Sequence, residues 1–165
     1  MSKHLIIDGY NAINKIGELE AKKDISLEAS RLHFIRILLD FMSQNRAFDK
    51  VSIVFDSKDK ELGVRREAYG NIEAVYGTYD KDADSVIVDM LRAASSKDQI
   101  SVASDDNFVR NHARVYGRDA ISISALKNII MLKKRRVKSK IEGQELEGHK
   151  VRDINEELKR HWKLT

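Results

Sequence analysis

Short apolar runs and longer amphipathic stretches alternate along this chain. The short runs are rich in β-branched residues, which predicts buried strands. The longer stretches repeat apolar residues every three or four positions, which predicts helices. Strands separated by helices favour βαβ units in a mostly parallel sheet. The five predicted strands are Leu5–Asp8, Val51–Asp56, Ile72–Tyr76, Ile100–Ala103 and Ala120–Ile123.

The predicted helices begin at residues that commonly start helices and end near residues that commonly stop them. Ser26 and Ser104 are expected N-caps, and Gly117 is an expected C′ glycine. Gly9 to Asn11 is interpreted as an exit turn, and the charged, aperiodic segment 58–70 as a loop or short helix. The predicted helices are Ser26 to about Gln44, Ala83–Ala94, Asp105–Tyr116 and Ala125–Val137.

Composition narrows the class of protein. The chain has 165 residues, of which 42% are hydrophobic and 34% are charged, and this is typical of one folded domain. The absence of Cys excludes disulfides and thiolate metal sites and favours a reducing compartment. No apolar run approaches the roughly 20 residues of a membrane span. We therefore expect a cytoplasmic protein with no membrane partner.

The charge is unevenly distributed. Residues 131–165 hold 11 basic and 6 acidic residues, whereas the remainder holds 19 basic and 20 acidic. We therefore expect a domain over residues 1–130 and a basic, helical C-terminal extension over residues 131–165. Such asymmetry favours a polyanionic partner. A solvated basic helix without a partner is the alternative.

Aspartates follow the predicted strands. Parallel strands bring their carboxyl ends to one edge of a sheet, where ligands bind. With the strands ordered 3-2-1-4-5, Asp8 and Asp105 would face each other across the switch point between strands 1 and 4. Clustered carboxylates repel and therefore need a cation, and oxygen ligands select Mg²⁺, Mn²⁺ or Ca²⁺. The acids concerned are Asp8, Asp56, Asp84 and Asp105.

Each acid also has an ordinary structural interpretation. Asp84 and Asp105 could be first-turn helix acids that interact with the helix dipole. Asp56 could start a turn, and Asn11 could be a turn or cap residue. Asp8 is harder to explain in this way, because a carboxylate that ends a buried strand is costly unless it is paired or binds a metal.

Four short motifs together resemble the YacP-like branch of the NYN domains, within the PIN-like ribonuclease group. The resemblance runs in order from about residue 4 to residue 126. Each motif alone has low specificity, and the ordered set of four is more specific. The motifs are Ile6-Ile7-Asp8-Gly9-Tyr10-Asn11, Val54-Phe55-Asp56, Ala83-Asp84-Ser85-Val86-Ile87 and Ala103-Ser104-Asp105-Asp106.

This resemblance implies a Rossmann-like PIN/NYN fold and a metal-dependent RNA endonuclease that uses Mg²⁺ or Mn²⁺. It implies that the functional acids are Asp8, Asp84 and Asp105, supported by Asn11 and Asp56. One position departs from the family pattern, because Val88 stands where an acid is common. The next acid, Asp89, lies about 140° around the helix from Asp84 and is expected to point away from the site.

Basic residues are expected to bind the RNA backbone. Phosphate contacts from Lys and Arg position a nucleic acid without selecting its sequence. Tyr10 and Tyr79 are candidates for base stacking, with core or surface roles as the alternative. The candidate basic residues lie after Asp56 (Lys58, Lys60, Arg65 and Arg66) and in the C-terminal run (Lys133, Lys134, Arg135 and Arg136).

Three functional hypotheses follow. The first is a metal-dependent endoribonuclease. The second is a non-catalytic RNA- or ribonucleoprotein-binding module, which Val88 favours. The third, a phosphorylatable receiver domain, lacks the expected Lys after the last strand, since Ile121–Ser124 contains none. A homodimer and an association with the ribosome remain open.

Overall fold

The computed structural model describes residues 2–23, 25–57 and 63–131. The chain divides into two units, residues 1–127 and residues 128–165. The first unit carries the sheet. In the second, the described residues 128–131 are helical, and Lys133, Lys134, Arg135 and Arg136 lie outside the described residues, as do Lys58 and Lys60. The expected division at residues 130 and 131 therefore stays a prediction.

One six-stranded sheet organises the first unit, with strand order β3-β4-β2-β1-β5-β6. All neighbouring strands are parallel except the β3–β4 pair. When β3 is set aside, this is the predicted order 3-2-1-4-5, with the switch point between β1 and β5. The strands are β1 (Lys3–Asp8), β2 (Lys50–Phe55), β3 (Arg65–Tyr69), β4 (Ile72–Tyr76), β5 (Gln99–Ala103) and β6 (Asp119–Ile121).

Helices cover both faces of this sheet. One face carries α1, α2 and α3, and the other carries α4 and α5. Ser26 is the N-cap of α3, as predicted, because its Oγ accepts a hydrogen bond from the Ala29 N–H at 2.9 Å. The helices are α1 (Gly9–Lys15), α2 (Gly17–Lys23), α3 (Leu27–Gln44), α4 (Ala83–Ala93) and α5 (Asn107–Val115), and residues 123–127 are also helical.

Strand alternation assigns side chains to the two faces. Ile6, Val54 and Val75 point toward α4 and α5 and pack in one core with the apolar residues of those helices. Their neighbours Ile7, Phe55 and Tyr76 therefore point toward α1–α3, and each of these three is buried. At the carboxyl ends of the strands, this alternation separates acidic from aromatic side chains.

The interpretation of segment 58–70 as a loop or short helix is wrong over Arg65–Tyr69, which forms the antiparallel edge strand β3. A two-residue hairpin turn, Gly70-Asn71, joins it to β4, and Gly70 takes the positive φ of 61° that this turn requires. The sequence of β3 shows no alternation of apolar and polar residues, because this strand is largely exposed and carries charged side chains on both of its faces.

Two other expectations were wrong. Gly9 to Asn11 is the first turn of helix α1, which begins directly after β1, and α2 follows it. Ser104 is not the N-cap of α5, because the helix starts two residues later and is capped by Asp106. Gly117 is confirmed at C′, where the Arg118 N–H donates to the Ala113 carbonyl at 2.8 Å.

The buried face of α3 differs in part from the face that its sequence predicts. The three- and four-residue spacing of Leu32, Ile35, Leu38, Leu39 and Met42 predicts one inward face, but Leu32 and Leu39 are exposed. The buried stripe includes Phe34, Leu38 and Phe41, whose spacing also fits a helix face. In α4 the same spacing predicts that Val86, Ile87, Met90, Leu91 and Ala94 face inward. Val86, Ile87 and Leu91 are buried, and Met90 and Ala94 pack against the same core.

We predict that Gly9→Ala destabilises the fold. A Cβ at this position would lie 2.4 Å from two ring atoms of Phe55 and 2.8 Å from the Val54 carbonyl oxygen. Phe55 is fully buried and cannot move aside. We expect the free energy of unfolding, measured by urea denaturation, to fall by about 1–3 kcal/mol.

Gly17→Ala is the matched control, because nothing lies within 4 Å of its added Cβ. Ala is also favoured over Gly within a helix. This variant should be as stable as the parent protein or more stable. Equal stability of the two variants would show that the contact between Gly9 and Phe55 is not tight.

Candidate active site

Asp8 ends the central strand of the sheet, between β2 and β5. Its side chain is buried, with the residue only 8% exposed. The Ser104 hydroxyl donates to Asp8 Oδ2 at 3.1 Å, and the Asn11 backbone N–H also hydrogen-bonds this carboxylate. Burial raises the pKa of Asp8, as do the charges of Asp56 and Asp106, and the two hydrogen bonds oppose that rise only in part.

Ser104 links Asp8 to the start of α5. While its hydroxyl donates to Asp8, its Oγ accepts the Asp106 N–H at 3.1 Å. Asp106 in turn caps α5 by accepting the Phe108 N–H at 2.8 Å. Ser104 is fully buried. The serine expected to cap a helix therefore fixes the orientation of a buried carboxylate.

Two acids hold the start of α4 at the same edge. Asp56 Oδ1 accepts the N–H of Ala83, the first residue of α4, at 2.6 Å. Asp82 is the N-cap and accepts the Ser85 N–H at 2.9 Å. Both therefore satisfy backbone N–H groups that a helix terminus leaves without an intrahelical partner.

Asp84 lies in the first turn of α4, as predicted. Within the described residues, no hydrogen bond or ion pair forms at its carboxylate. Partial burial raises its pKa to about 6, and the negative charges of Asp106, Asp8, Asp82 and Asp56 contribute to that rise. Asp84 is thus a carboxylate surrounded by like charge.

The sequence predicts that Asp105 faces Asp8 across the switch point, and in the structure the carboxylate of Asp105 binds other partners. Lys15 Nζ is 2.5 Å from Asp105 Oδ2, and the Ile123 N–H donates to Oδ1 at 3.0 Å. Its hydrogen bond with Lys15 holds the pKa of Asp105 below its ordinary value. Asn11 is also engaged nearby, since its Oδ1 accepts the Asp105 N–H at 3.2 Å.

Asp8 and Asp84 are each influenced by the charges of Asp56 and Asp106, so these four carboxylates form one cluster, and Asp82 adds its charge at Asp84. Sequence reasoning missed Asp106, Asp82 and Ser104 as members of the site. The available signal was the run Ser104-Asp105-Asp106-Asn107, because Asp and Asn are favoured at N-caps as strongly as Ser. Over residues 2–23, 25–57 and 63–131, no group of three or more His, Cys, Asp or Glu side chains is arranged to hold a metal ion.

Two of the arginines expected to bind RNA, Arg65 and Arg66, lie on β3. Arg66 binds Glu73 at 2.8 Å, and Lys50 approaches the same carboxylate at 3.2 Å. The Arg65 guanidinium lies over Tyr76, with its carbon 4.7 Å from the ring centroid. Of the two, only Arg65 lies at the carboxyl edge, and its ion pair in the described part of the chain is the long one with Glu67, at 3.9 Å.

The position that departs from the family pattern is part of the core. Val88 is buried on α4. Asp89 pairs with Lys81 and lies 3.7 Å from Arg92. The acid after Val88 is therefore committed to surface ion pairs.

Comparison with known proteins agrees with this architecture. The model of the YacP-like NYN domain family matches residues 5–164. A crystal structure of Rae1 (YacP) from Bacillus subtilis is similar with a TM-score of 0.72 and 24% identity, covering 97% of this chain and 92% of that one. A crystal structure of a single-substitution mutant of the same protein gives a TM-score of 0.69 and 22% identity, covering 85% of this chain and 81% of that one.

At these identities the two structures show the fold alone. A search of curated proteins found no match. No helix in the described ranges is both long enough and apolar enough to cross a bilayer.

We predict opposite pH-dependent effects for two neutralising substitutions, Asp84→Asn and Asp105→Asn. The pKa of Asp84 is raised, so its contribution to stability is complete below about pH 4 and is lost as pH rises through about 6. Asp84→Asn should therefore raise Tm at pH 7.5. The pKa of Asp105 is lowered, so its contribution is present at neutral pH and Asp105→Asn should lower Tm there.

The check is thermal unfolding of the three proteins in chelator at pH 4.0 and pH 7.5. The Asp84→Asn difference should shrink at pH 4.0, where Asp84 is protonated in the parent protein, whereas the Asp105→Asn difference should largely remain, because Asp105, with its lowered pKa, is still mostly ionised there. A Tm that falls at pH 7.5 for Asp84→Asn would contradict the described repulsion at this carboxylate.

Proposed function

Because this chain belongs to the YacP-like NYN domain family, we propose that it is an endoribonuclease that depends on Mg²⁺ or Mn²⁺. The observation that carries the proposal is the group of four mutually repelling carboxylates at the carboxyl edge of the sheet, beside the switch point between β1 and β5. Ligands of open α/β sheets bind at this position. RNA is the proposed substrate because the family belongs to the PIN-like ribonuclease group.

The donor chemistry fits a hard divalent cation, since all four side chains offer carboxylate oxygens. Mg²⁺ is usually held by one or two carboxylates, with waters and substrate phosphates as its other ligands. Asp8 and Asp84 are the residues that would hold it. The other expected ligands, Asp56 and Asp105, have partners in Ala83 and Lys15. A bound cation would offset the carboxylate charge and polarise a phosphate oxygen.

Asp8, Asp84 and Asn11 have separate roles in this proposal. Asp8 is held in one orientation by Ser104 and Asn11. Even with its pKa raised to about 6, Asp84 is mostly ionised at neutral pH, so its carboxylate is available to a cation. Asn11 uses its Oδ1 on the Asp105 N–H. Its NH₂ group therefore remains the donor that can reach a phosphate oxygen.

A non-catalytic RNA-binding role is the second candidate. Two observations favour it, namely the buried Val88 at a position where the family commonly has an acid, and the lack of a three-ligand group within the described residues. In that case, RNA binding would survive Asp8→Asn and no condition would give cleavage. It would weaken when Lys133, Lys134, Arg135 and Arg136 are together replaced by Gln.

We predict that the full-length chain cleaves RNA with Mg²⁺ or Mn²⁺ and not in excess chelator. The measurement is gel analysis of single-stranded and structured RNAs, with product ends identified as 5′-phosphate and 3′-hydroxyl. Asp8→Asn and Asp84→Asn should each reduce the rate by more than about 100-fold, because loss of an outer-shell partner of a metal already costs 10–100-fold.

Asp89→Asn is the matched control, because it removes an acid from the same helix that is paired with Lys81 and Arg92 outside the site. Its cleavage rate should equal that of the parent protein. Cleavage that persists in chelator, or that is unchanged in Asp8→Asn, would exclude the proposed mechanism.

A further inference from the structure

Two arginines lie on the opposite side of the strand ends from the acids. Asp56 follows Phe55 directly, and alternation turns the two side chains to opposite faces of the sheet. The acids therefore occupy the face of α4 and α5, where Asp56 binds Ala83. Phe55 and Tyr76 occupy the face of α1–α3, and the two arginines, Arg31 and Arg65, contact these rings.

The aromatic rings form a fixed support. The Phe55 and Tyr76 rings are stacked, with centroids 5.6 Å apart and planes 27° apart. Tyr10 packs against the Phe55 ring at a centroid distance of 5.3 Å. Phe55 is fully buried and Tyr76 is only 7% exposed. A guanidinium held on these rings therefore has little freedom to move.

Both guanidinium groups lie against this support. The Arg31 carbon Cζ is 5.5 Å from the Tyr76 centroid and 5.9 Å from the Phe55 centroid. The Arg65 Cζ is 4.7 Å from the Tyr76 centroid. The two charges are thus no more than 10.2 Å apart, the sum of their distances to that centroid. Stacking on an aromatic face leaves the N–H donors at the guanidinium rim.

Within the described ranges, most of those donors have no hydrogen-bond acceptor. A guanidinium has five N–H donors, and Arg31 gives one hydrogen bond, from Nη1 to the Tyr10 hydroxyl at 3.0 Å. No ion pair of Arg31 exists within the described residues. Among the carboxylates of residues 2–23, 25–57 and 63–131, Arg65 approaches Glu67 alone, at 3.9 Å, and its side chain is 47% exposed. Arg66, one residue further along β3, instead forms a direct ion pair with Glu73.

We propose that Arg31 and Arg65 form a phosphate-binding subsite for the RNA backbone next to the bond that is cut. This proposal rests on the proposed function. The subsite adds a second point of contact for an RNA that crosses the edge of the sheet, besides the acidic site. Two supported guanidinium groups match phosphate oxygens, which Arg binds in a bidentate manner. They also supply positive charge beside a negatively charged site that would otherwise repel the substrate.

The test is RNA binding by the full-length chain in chelator, where no metal-dependent cleavage takes place. A fluorescently labelled single-stranded 12-nucleotide RNA is titrated at several salt concentrations between 50 and 200 mM. Arg31→Gln and Arg65→Gln should each raise Kd about tenfold, since each removes a charge-assisted contact. Each should also reduce the slope of log K against log salt by about 0.7, because one phosphate contact is lost.

Arg36→Gln is the matched control, since Arg36 lies five residues further along α3 and about 140° around it. It should leave Kd and slope unchanged. Arg31→Lys separates charge from geometry, because it keeps the cation and loses the planar fork. It should raise Kd while keeping the slope, a result that general destabilisation would not give. Arg65 is exposed, so its variant tests the proposal even where Arg31→Gln lowers Tm.

The outcomes separate this proposal from the proposed function. Unchanged Kd and slope in both Arg→Gln variants would overturn the subsite, and metal-dependent cleavage by the parent protein would still support the nuclease. Equal weakening in Arg36→Gln would also overturn it, by showing a general effect of charge. If the parent chain neither binds nor cleaves RNA, both proposals fail.

Discussion

The buried carboxylate of Asp8 is the constraint on which the site depends. A carboxylate placed at the end of the central strand loses its water, and burial of a charge is costly unless hydrogen bonds or counter-charges replace that water. Ser104 and the Asn11 N–H supply hydrogen bonds, but the pKa of Asp8 is still raised. Asp56 and Asp106 add repulsion. The edge therefore retains a deficit of positive charge that a cation would relieve.

The amino ends of two helices offset part of the negative charge at this edge of the sheet. Asp56 and Asp106 accept backbone N–H groups at the starts of α4 and α5, so each has a favourable partner. Asp84 has no such partner within the described residues, and its pKa accordingly rises to about 6. The fold therefore provides hydrogen-bond partners for Asp56 and Asp106, whereas Asp84 is left facing the charges of its neighbours. Asp84 is the acid better suited to bind a ligand.

Much of this arrangement could be predicted from the sequence. The apolar pattern located the strands, and the order 3-2-1-4-5 assumed for them, which the structure confirms once β3 is set aside, puts Asp8 at the switch point. The first-turn position of Asp84 followed from the helical period of α4. By contrast, β3 was hidden because exposed edge strands carry charge, and α1 was hidden because a seven-residue helix has too few turns to show a period.

The partners of Asp105 could not be predicted from local patterns either, for a different reason. Two adjacent aspartates follow β5, and local preference does not decide which of them faces the site. The decision comes from Lys15, which is 90 residues away in sequence and neutralises Asp105, and from Ser104, which accepts the Asp106 N–H. The same reasoning applies to Arg31, whose role depends on Tyr76 lying beneath it. Strand pairing brings Arg65 onto the same ring, because residues 65 and 76 are partners in the β3–β4 register. Contacts between distant residues, rather than motifs, therefore decide which charges are already paired within the described part of the fold.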